Sequence, residues 1–227
     1  MKKVMTVFGT RPEAIKMAPL VLELEKDSEL QPIVVVTAQH REMLDSVLKS
    51  FDITPDYDLN IMKQSQSLSD ITSRILIRLE DVIKEAQPDM ILVHGDTMST
   101  FAGSLAALYN QVPIGHVEAG LRTWNKYAPF PEEMNRQMVG VMSDLNFAPT
   151  NNAANNLIAE NKPEDTIVVT GNTAIDAMKT TIHNGYESEI IAKHKNKRII
   201  LLTAHRRENI GEPMTHIFKA VRDIVEA

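Results

Sequence analysis

Short runs of β-branched and other apolar residues alternate along the chain with longer stretches in which apolar residues recur every three or four positions. The short runs predict strands, and the longer stretches predict helices that bury one face. Most of the strand-length runs are continuously apolar, which is typical of parallel strands covered by helices on both faces. The predicted strands cover residues 4–8, 33–37, 90–94, 113–117, 145–148 and 167–170.

The clearest predicted helix lies between Gln66 and Pro88. Ser67 and Asp70 have the spacing of a capping box, and Pro88 ends the helix just before the next strand. Because β and α elements of these lengths alternate and crossovers are right-handed, the chain is predicted to form a doubly wound parallel sheet of the α/β class. Further helices are predicted over residues 12–25, 41–51, 98–109, 132–142, 151–160 and 172–183.

The polar segment 184–197 differs from the chain before it, because it carries several Lys and His residues and almost no apolar periodicity. A new strand-like run follows at 198–203, and a new helical pattern follows at 213–226. We therefore predict a first domain over residues 1–183, a linker over 184–197 and the first βα unit of a second domain over 198–227. We expect the chain to stop in the middle of that second domain.

Composition narrows the class of protein. The 227 residues include 24 Lys and Arg against 30 Asp and Glu, and there is no Cys. The missing cysteines exclude thiol nucleophiles, Cys-ligated zinc and disulfides, and the mild acidity argues against nucleic acid as a partner. No apolar run is long enough for a signal peptide or a membrane span, so we expect a cytoplasmic protein that does not bind membranes.

Polar residues follow the predicted strands, at the edge where open parallel sheets bind their ligands. After the first strand, Gly9 permits a tight turn and Pro12 suits the first helical position. We expect the free N–H groups of that helix end to attract an anion, with Arg11 and Lys16 as nearby cations. The turn is neither a dinucleotide fingerprint nor a phosphate-binding loop, which argues against a nicotinamide cofactor.

Two His-x-acid pairs end neighbouring predicted strands: His94 with Asp96, and His116 with Glu118. Four such side chains could converge on a metal ion. Alternatively, the histidines pack at the strand ends while the carboxylates face a cleft. We favour the second interpretation and predict no metal, because no third cluster has ligand spacing.

Acids beside an anion site suit proton abstraction at carbon coupled to the loss of a phosphate leaving group. Glu132 could instead form an ordinary surface pair with Arg136 on one helix, and residues 206–208 could be a solvated helix entry. The candidates are three acids and three positive groups: Asp96, Glu118 and Glu132, and Arg11, Lys16 and His205.

Seven segments, in order along the chain, resemble the non-hydrolysing UDP-N-acetylglucosamine 2-epimerase family. They are VFGTRPEAIKMAP (7–19), TAQHREML (37–44), VHGDT (93–97), GHVEAGLRT (115–123), PEEMNR (131–136), TGNT (170–173) and TAHRREN (203–209). The resemblance implies a glycosyltransferase-B-like fold of two Rossmann-like domains with the active site between them. It also implies conversion of UDP-N-acetylglucosamine to UDP-N-acetylmannosamine without NAD or another cofactor, through elimination of UDP to 2-acetamidoglucal and its re-addition.

The family motifs also imply residue roles. Asp96, Glu118 and Glu132 match the acid/base residues, and His205 matches a catalytic or phosphate-contacting residue of the second domain. Arg11 and Lys16 match contacts to the nucleotide sugar, to which Asp96, Glu118 and His205 are also assigned. The segment Gln39, His40 and Arg41 matches a region where the substrate acts as an allosteric activator.

The resemblance further implies a homodimer that supplies precursors for cell-envelope polysaccharides. Family members continue through the rest of the second domain, so we expect this chain alone to bind UDP-sugars poorly and to turn over little. Two alternatives stay open: a sugar-nucleotide glycosyltransferase of the same architecture, and a metal-dependent hydrolase that uses the two His-x-acid pairs.

Overall fold

The structure, a computed structural model, describes residues 1–38, 41–63, 65–182, 185, 187–204 and 209–226, without the side chains of residues 41 and 42. The chain divides into two units, Met1–Ile182 and His183–Ala227. The domain boundaries predicted at residues 183 and 197 stay predictions.

A seven-stranded parallel sheet forms the centre of the first unit, in the order β3-β2-β1-β4-β5-β6-β7. The order reverses between β1 and β4, and such a switch point opens a crevice at the carboxyl ends of the two strands. The strands are β1 (Lys2–Phe8), β2 (Leu30–Val36), β3 (Tyr57–Asp58), β4 (Met90–His94), β5 (Ile114–Val117), β6 (Leu145–Ala148) and β7 (Ile167–Val169).

Helices cover both faces of this sheet, which confirms the predicted α/β doubly wound class. Met5 and Val7 of β1 pack with the helices over residues 68–86, 98–109 and 132–142, whereas Val4 and Phe8 of the same strand pack with the helices over residues 11–24, 41–50 and 174–181. The strand is continuously apolar because both of its faces are buried. The helices of this unit are α1 (Arg11–Leu24), α2 (Arg41–Ser50), α3 (Leu68–Ala86), α4 (Met98–Tyr109), α5 (Glu132–Met142), α6 (Asn151–Ala159) and α7 (Ala174–Thr181).

The capping box predicted at the start of α3 is confirmed. The Asp70 N–H donates to Ser67 Oγ at 3.1 Å, and the Ser67 N–H donates to Asp70 Oδ2 at 3.0 Å. The helix ends before Pro88, at a left-handed Gln87 with φ of 49°. Local signals therefore determine both ends of this helix.

The second unit contains α8 (Glu189–Lys193) and α9 (Glu212–Glu226) among its described residues. The predicted helix is confirmed as α9, but α8 lies inside the segment predicted to be a linker. The strand predicted over residues 198–203 is wrong: these residues form no strand. A strand needs a hydrogen-bonded neighbour, and the part of this unit that the structure describes offers none. No helix in the described parts of the chain is long and apolar enough to cross a membrane.

Candidate active site

The turn after β1 packs tightly against the elements beside it. A Cβ atom on Gly9 would lie 1.8 Å from Thr37 Oγ1 and 2.4 Å from Ser99 Oγ. These two hydroxyls are buried and share a hydrogen bond of 2.8 Å. Only glycine fits at position 9, and the turn therefore lies against the carboxyl end of β2 and the first turn of α4.

Glu13 joins this turn to the one after β4. Its Oε2 accepts the N–H groups of Gly9 at 3.0 Å and Thr10 at 2.8 Å, and its Oε1 accepts the hydroxyls of Thr97 at 2.6 Å and Thr100 at 3.2 Å. The side chain is 2% exposed, and burial raises its pKa despite these donors. Glu13 thus already binds the N–H groups of Gly9 and Thr10, and the anion expected at the free N–H groups of this helix end stays a prediction.

The two cations predicted at the turn have different surroundings. Arg11 is exposed, and its side chain forms no hydrogen bond or ion pair with the residues that the structure describes. Lys16, one turn further along α1, donates from Nζ to Glu118 Oε2 at 2.5 Å. Lys16 therefore pairs with an acid, whereas the Arg11 side chain has no such partner in the described part of the chain.

Glu118 follows β5 in a left-handed backbone conformation, with φ of 64°. Such a conformation is uncommon for a residue other than glycine and is found where surrounding contacts hold the backbone. Oε2 accepts hydrogen bonds from Lys16 and from Asn172 Nδ2, the latter at 2.7 Å. Burial would raise the pKa of Glu118, but His94, Lys16 and Asn172 outweigh it, and the pKa is lowered.

Asp96 follows β4 and pairs with an arginine from α5. Arg136 Nη2 lies 2.9 Å from Asp96 Oδ2, and the Asp96 side chain is 29% exposed. Burial raises the pKa of Asp96 to about 6; Arg136 opposes this, while the charges of Glu132, Glu118 and Glu13 add to it. Arg136 is thus part of the site and does not form the simple surface pair with Glu132 that the spacing also allowed.

The neighbouring acids Glu132 and Glu133 at the start of α5 differ in environment. Glu133 is fully buried and accepts the backbone N–H groups of Thr123 and Trp124, each at 3.0 Å. Burial acts to raise the pKa of Glu133, but these donors and the Gln137 amide lower it. The Glu132 residue is half-buried; its backbone carbonyl accepts Arg136 Nε at 3.4 Å, but its carboxylate forms no hydrogen bond or ion pair within the described ranges. Glu133 therefore anchors the loop before α5, and Glu132 stays available.

The histidines of the two His-x-acid pairs are buried, and burial lowers the pKa of each to about 4. His116 Nε2 lies 2.7 Å from the Gly95 carbonyl oxygen, and His94 Nε2 lies 3.9 Å from Glu118 Oε2. A carbonyl only accepts, so His116 Nε2 carries the proton and does not face a metal. In the described part of the chain, no three His, Asp or Glu side chains gather with metal-site geometry.

Other predicted site residues lie outside the described residues: Gln39, His40 and His205, together with the side chain of Arg41. Two contributors were not predicted as site residues, Arg136 and Asn172. Asn172 stands within the TGNT segment, but spacing alone gives no reason to connect it with Glu118.

Known proteins with similar sequences indicate the family to which this site belongs. The family described as UDP-N-acetylglucosamine 2-epimerase matches residues 22–227. The UDP-N-acetylglucosamine 2-epimerase of Bacillus subtilis (strain 168) is 64% identical over 223 residues, covering 98% of this chain and 59% of that protein. The chain therefore spans about three fifths of the length of this relative.

Two solved structures give the same result. The S. aureus MnaA–UDP co-structure is 67% identical with a TM-score of 0.91, covering 100% of this chain and 60% of that chain. The Methanocaldococcus jannaschii UDP-GlcNAc 2-epimerase, solved with UDP-GlcNAc and UDP, is 34% identical with a TM-score of 0.82, covering 99% and 63%. The predicted glycosyltransferase-B-like class is confirmed by these likenesses. By sequence and by fold, the chain belongs to the UDP-N-acetylglucosamine 2-epimerase family.

Proposed function

We propose that this site serves the reversible C2 epimerisation of UDP-N-acetylglucosamine to UDP-N-acetylmannosamine. The observation that carries the proposal is that Asp96 and Glu118 follow the paired strands β4 and β5, while α5, which begins with Glu132, places Arg136 Nη2 2.9 Å from Asp96 Oδ2. Inversion at C2 through a planar intermediate needs one group that takes a proton from one face and another that returns a proton to the opposite face. The names of the relatives support UDP-N-acetylglucosamine as the substrate.

The proposed reaction has two balanced steps. A carboxylate takes the proton from C2, the C1–O bond breaks, its electron pair leaves with UDP, and a C1–C2 double bond forms to give 2-acetamidoglucal. UDP then adds back to C1 through its phosphate oxygen, and a proton is delivered to C2 from the opposite face. No substrate atom is oxidised or reduced overall, so the reaction needs no NAD.

The pKa values of the acids favour a division of roles. Glu118, whose pKa is lowered, is ionised at neutral pH and takes the C2 proton. Asp96, with a pKa of about 6, holds or releases a proton near neutral pH and delivers it on the other face. The charge of Glu132 helps to keep the pKa of Asp96 high. In the reverse direction Asp96 and Glu118 exchange roles.

The leaving group needs positive charge where the diphosphate develops negative charge. Arg11 is exposed without an ion pair among the described residues, at the switch point of the sheet, which supports a phosphate contact. We assign His205 to the same group of contacts on the resemblance of its segment to the family. Gln39, His40 and Arg41 remain our candidates for an allosteric contact with the substrate.

The test is turnover of UDP-N-acetylglucosamine in deuterated water by the chain extended to the length of its relatives. We expect UDP-N-acetylmannosamine, with deuterium at C2 of both recovered substrate and product. A glycosyltransferase would leave C2 unlabelled, and a hydrolysing relative would release free N-acetylmannosamine and UDP. A metal-dependent hydrolase would lose activity on strong chelation, whereas the proposed epimerase would keep it.

We also propose that the 227-residue chain turns over little by itself, because it spans 59% of the Bacillus subtilis relative. Comparable rates for this chain and its extended form would contradict this. A homodimer, a cytoplasmic location and a role in cell-envelope precursor supply are further proposals, of which the dimer is the simplest to test, by light scattering of the purified protein.

A further inference from the structure

The two carboxylate oxygens of Glu118 have unequal surroundings. Oε2 accepts hydrogen bonds from Lys16 at 2.5 Å and Asn172 at 2.7 Å, and it lies 3.9 Å from His94 Nε2. Oε1 forms no hydrogen bond or ion pair with a described residue; a Cβ atom on Gly95 would lie 3.8 Å from it. The carboxylate is therefore held through one oxygen, and the other is left available.

Asn172 is oriented by its own loop, between β7 and α7. Its Oδ1 accepts the backbone N–H of Ala174 at 3.0 Å. An N–H group can bond only to the oxygen end of the amide, so this contact turns the Nδ2 donor towards Glu118. The helix that begins there, α7, packs against α1, which carries Lys16. Helix α1 and the loop that leads into α7 thus supply the two donors to Oε2.

We propose that Asn172 is a positioning residue. Together with Lys16 it fixes Oε2 of Glu118, keeps the carboxylate ionised, and presents Oε1 as the oxygen that acts on the substrate. The role of Oε1 towards the substrate rests on the proposed epimerase function, whereas the position and ionisation of the Glu118 carboxylate concern the folded chain alone. The protonation state and orientation of Glu118 therefore depend on the start of α7.

Two substitutions separate the capping role of Asn172 from its contact with Glu118. In Asn172→Ser, the hydroxyl still accepts the Ala174 N–H but no longer donates to Glu118. In Asn172→Asp, the cap also remains, and a second carboxylate faces the first. The matched control is Asn152→Asp, in the first turn of α6, where the exposed side chain forms no hydrogen bond in the described structure.

The measurement is a pH titration of the Glu118 side-chain carboxyl carbon by 13C NMR in the 227-residue chain. We expect the midpoint to rise by about half a pH unit in Asn172→Ser and by about one unit in Asn172→Asp, with no change in Asn152→Asp. The thermal unfolding temperature of Asn172→Ser should fall only slightly below that of the wild type, because half a pH unit in the Glu118 midpoint is a small loss of stability. An unchanged Glu118 midpoint in both Asn172 variants would overturn the proposal.

This readout needs no turnover, so it stays decisive even if the proposed epimerase activity is absent. If the protein is an epimerase, Asn172→Asp in the extended enzyme should lower kcat at least tenfold with little change in KM. A change in KM alone, with kcat preserved, would contradict a positioning role for the reacting carboxylate.

Discussion

Four carboxylates near the site differ in protonation because their neighbours differ. Burial raises the pKa of Glu13, and it raises that of Asp96 to about 6. For Glu118 and Glu133, burial acts in the same direction, but nearby charge and hydrogen-bond donors outweigh it and lower the pKa. The same residue types thus supply an acid that titrates near neutral pH and anions that do not.

Asp96 should reduce the stability of the folded chain at neutral pH. Its pKa is raised from 3.8 to about 6, so the folded state disfavours the ionised form; the resulting cost is absent below pH 3.8 and complete above pH 6. We expect Asp96→Asn to raise the free energy of unfolding at pH 7 by about 1–3 kcal/mol and to have little effect at acidic pH.

Urea unfolding at both pH values measures this difference. Asp81→Asn, on the exposed face of α3, is the control and should change little at either pH. If Asp96→Asn destabilises the chain at pH 7, the ion pair with Arg136 stabilises the folded state by more than the burial of the Asp96 charge destabilises it. In the extended enzyme, we expect the same substitution to reduce turnover by about 10²–10⁴-fold.

At the scale of elements, Glu13 fixes α1 to α4 across the switch point of the sheet. Four donors from the two turns converge on this one buried carboxylate. Because each buried donor must be satisfied, the geometry of the turn with Arg11 and of the turn with Asp96 depends on the same side chain.

We expect Glu13→Ala to lower the free energy of unfolding by about 3–5 kcal/mol, because several buried donors lose their acceptor. Glu13→Gln should cost less, about 1–2 kcal/mol, since its amide oxygen still accepts the two N–H groups and the hydroxyls can rotate. Chemical denaturation gives both values. Glu23→Gln on the same helix, where an exposed Glu23 pairs with Lys26, should change stability by less than about 0.5 kcal/mol. Equal effects of Glu13→Gln and Glu23→Gln would contradict the network.

The elements that sequence patterns predict well are those with sharp local signals at both ends. The bounds of β4, α4 and α5 agree with prediction, because turn residues and helix starts adjoin long periodic runs. The two-residue strand β3 was missed, since it pairs only with the last two residues of β2 and carries no apolar run. The strand predicted at 198–203 fails because strand formation depends on a neighbour that local sequence does not specify.

Local sequence predicts the residues of the site only in part, as it does the elements of the fold. Strand ends are sufficient to locate Asp96 and Glu118, because the carboxyl ends of parallel strands meet at one edge. The partners of these acids come from distant segments: Arg136 from α5, and Lys16 and Asn172 from α1 and the loop before α7. No spacing in the sequence encodes these approaches, because only the packing of helices on the sheet creates them.

At the scale of the whole molecule, two buried histidines determine much of the response to acid. His94 and His116 have pKa values lowered to about 4, so both are neutral in the folded chain at pH 7. Unfolded histidines bind protons near pH 6.5, so the stability present above that pH is lost as the pH falls towards 4. Asp96 and Glu13, whose pKa values burial raises, act in the opposite direction, so the net loss is smaller than the two histidines alone would cause.

We expect the free energy of unfolding to fall between pH 7 and pH 4. In His116→Gln this fall should be smaller by about 2–3 kcal/mol, because one buried group no longer gains a proton on unfolding. Denaturant unfolding across this pH range measures the fall. His216→Gln, at an exposed position of α9, should leave it unchanged. If the free energy of unfolding of His116→Gln falls as much as that of the wild type, the His116 imidazole is protonated in the folded chain.

The loop before α5 offers a built-in optical probe. Trp124 is the one tryptophan of the chain; its side chain is 59% exposed, while its backbone N–H is held by Glu133 at 3.0 Å. Its fluorescence therefore comes from a water-exposed indole on a backbone that Glu133 holds in place. In the sequence, Trp124 lies between the two site acids Glu118 and Glu132. A ligand that covers this loop would shift the emission to the blue without any added dye, so occupancy could be followed by direct titration in a cuvette.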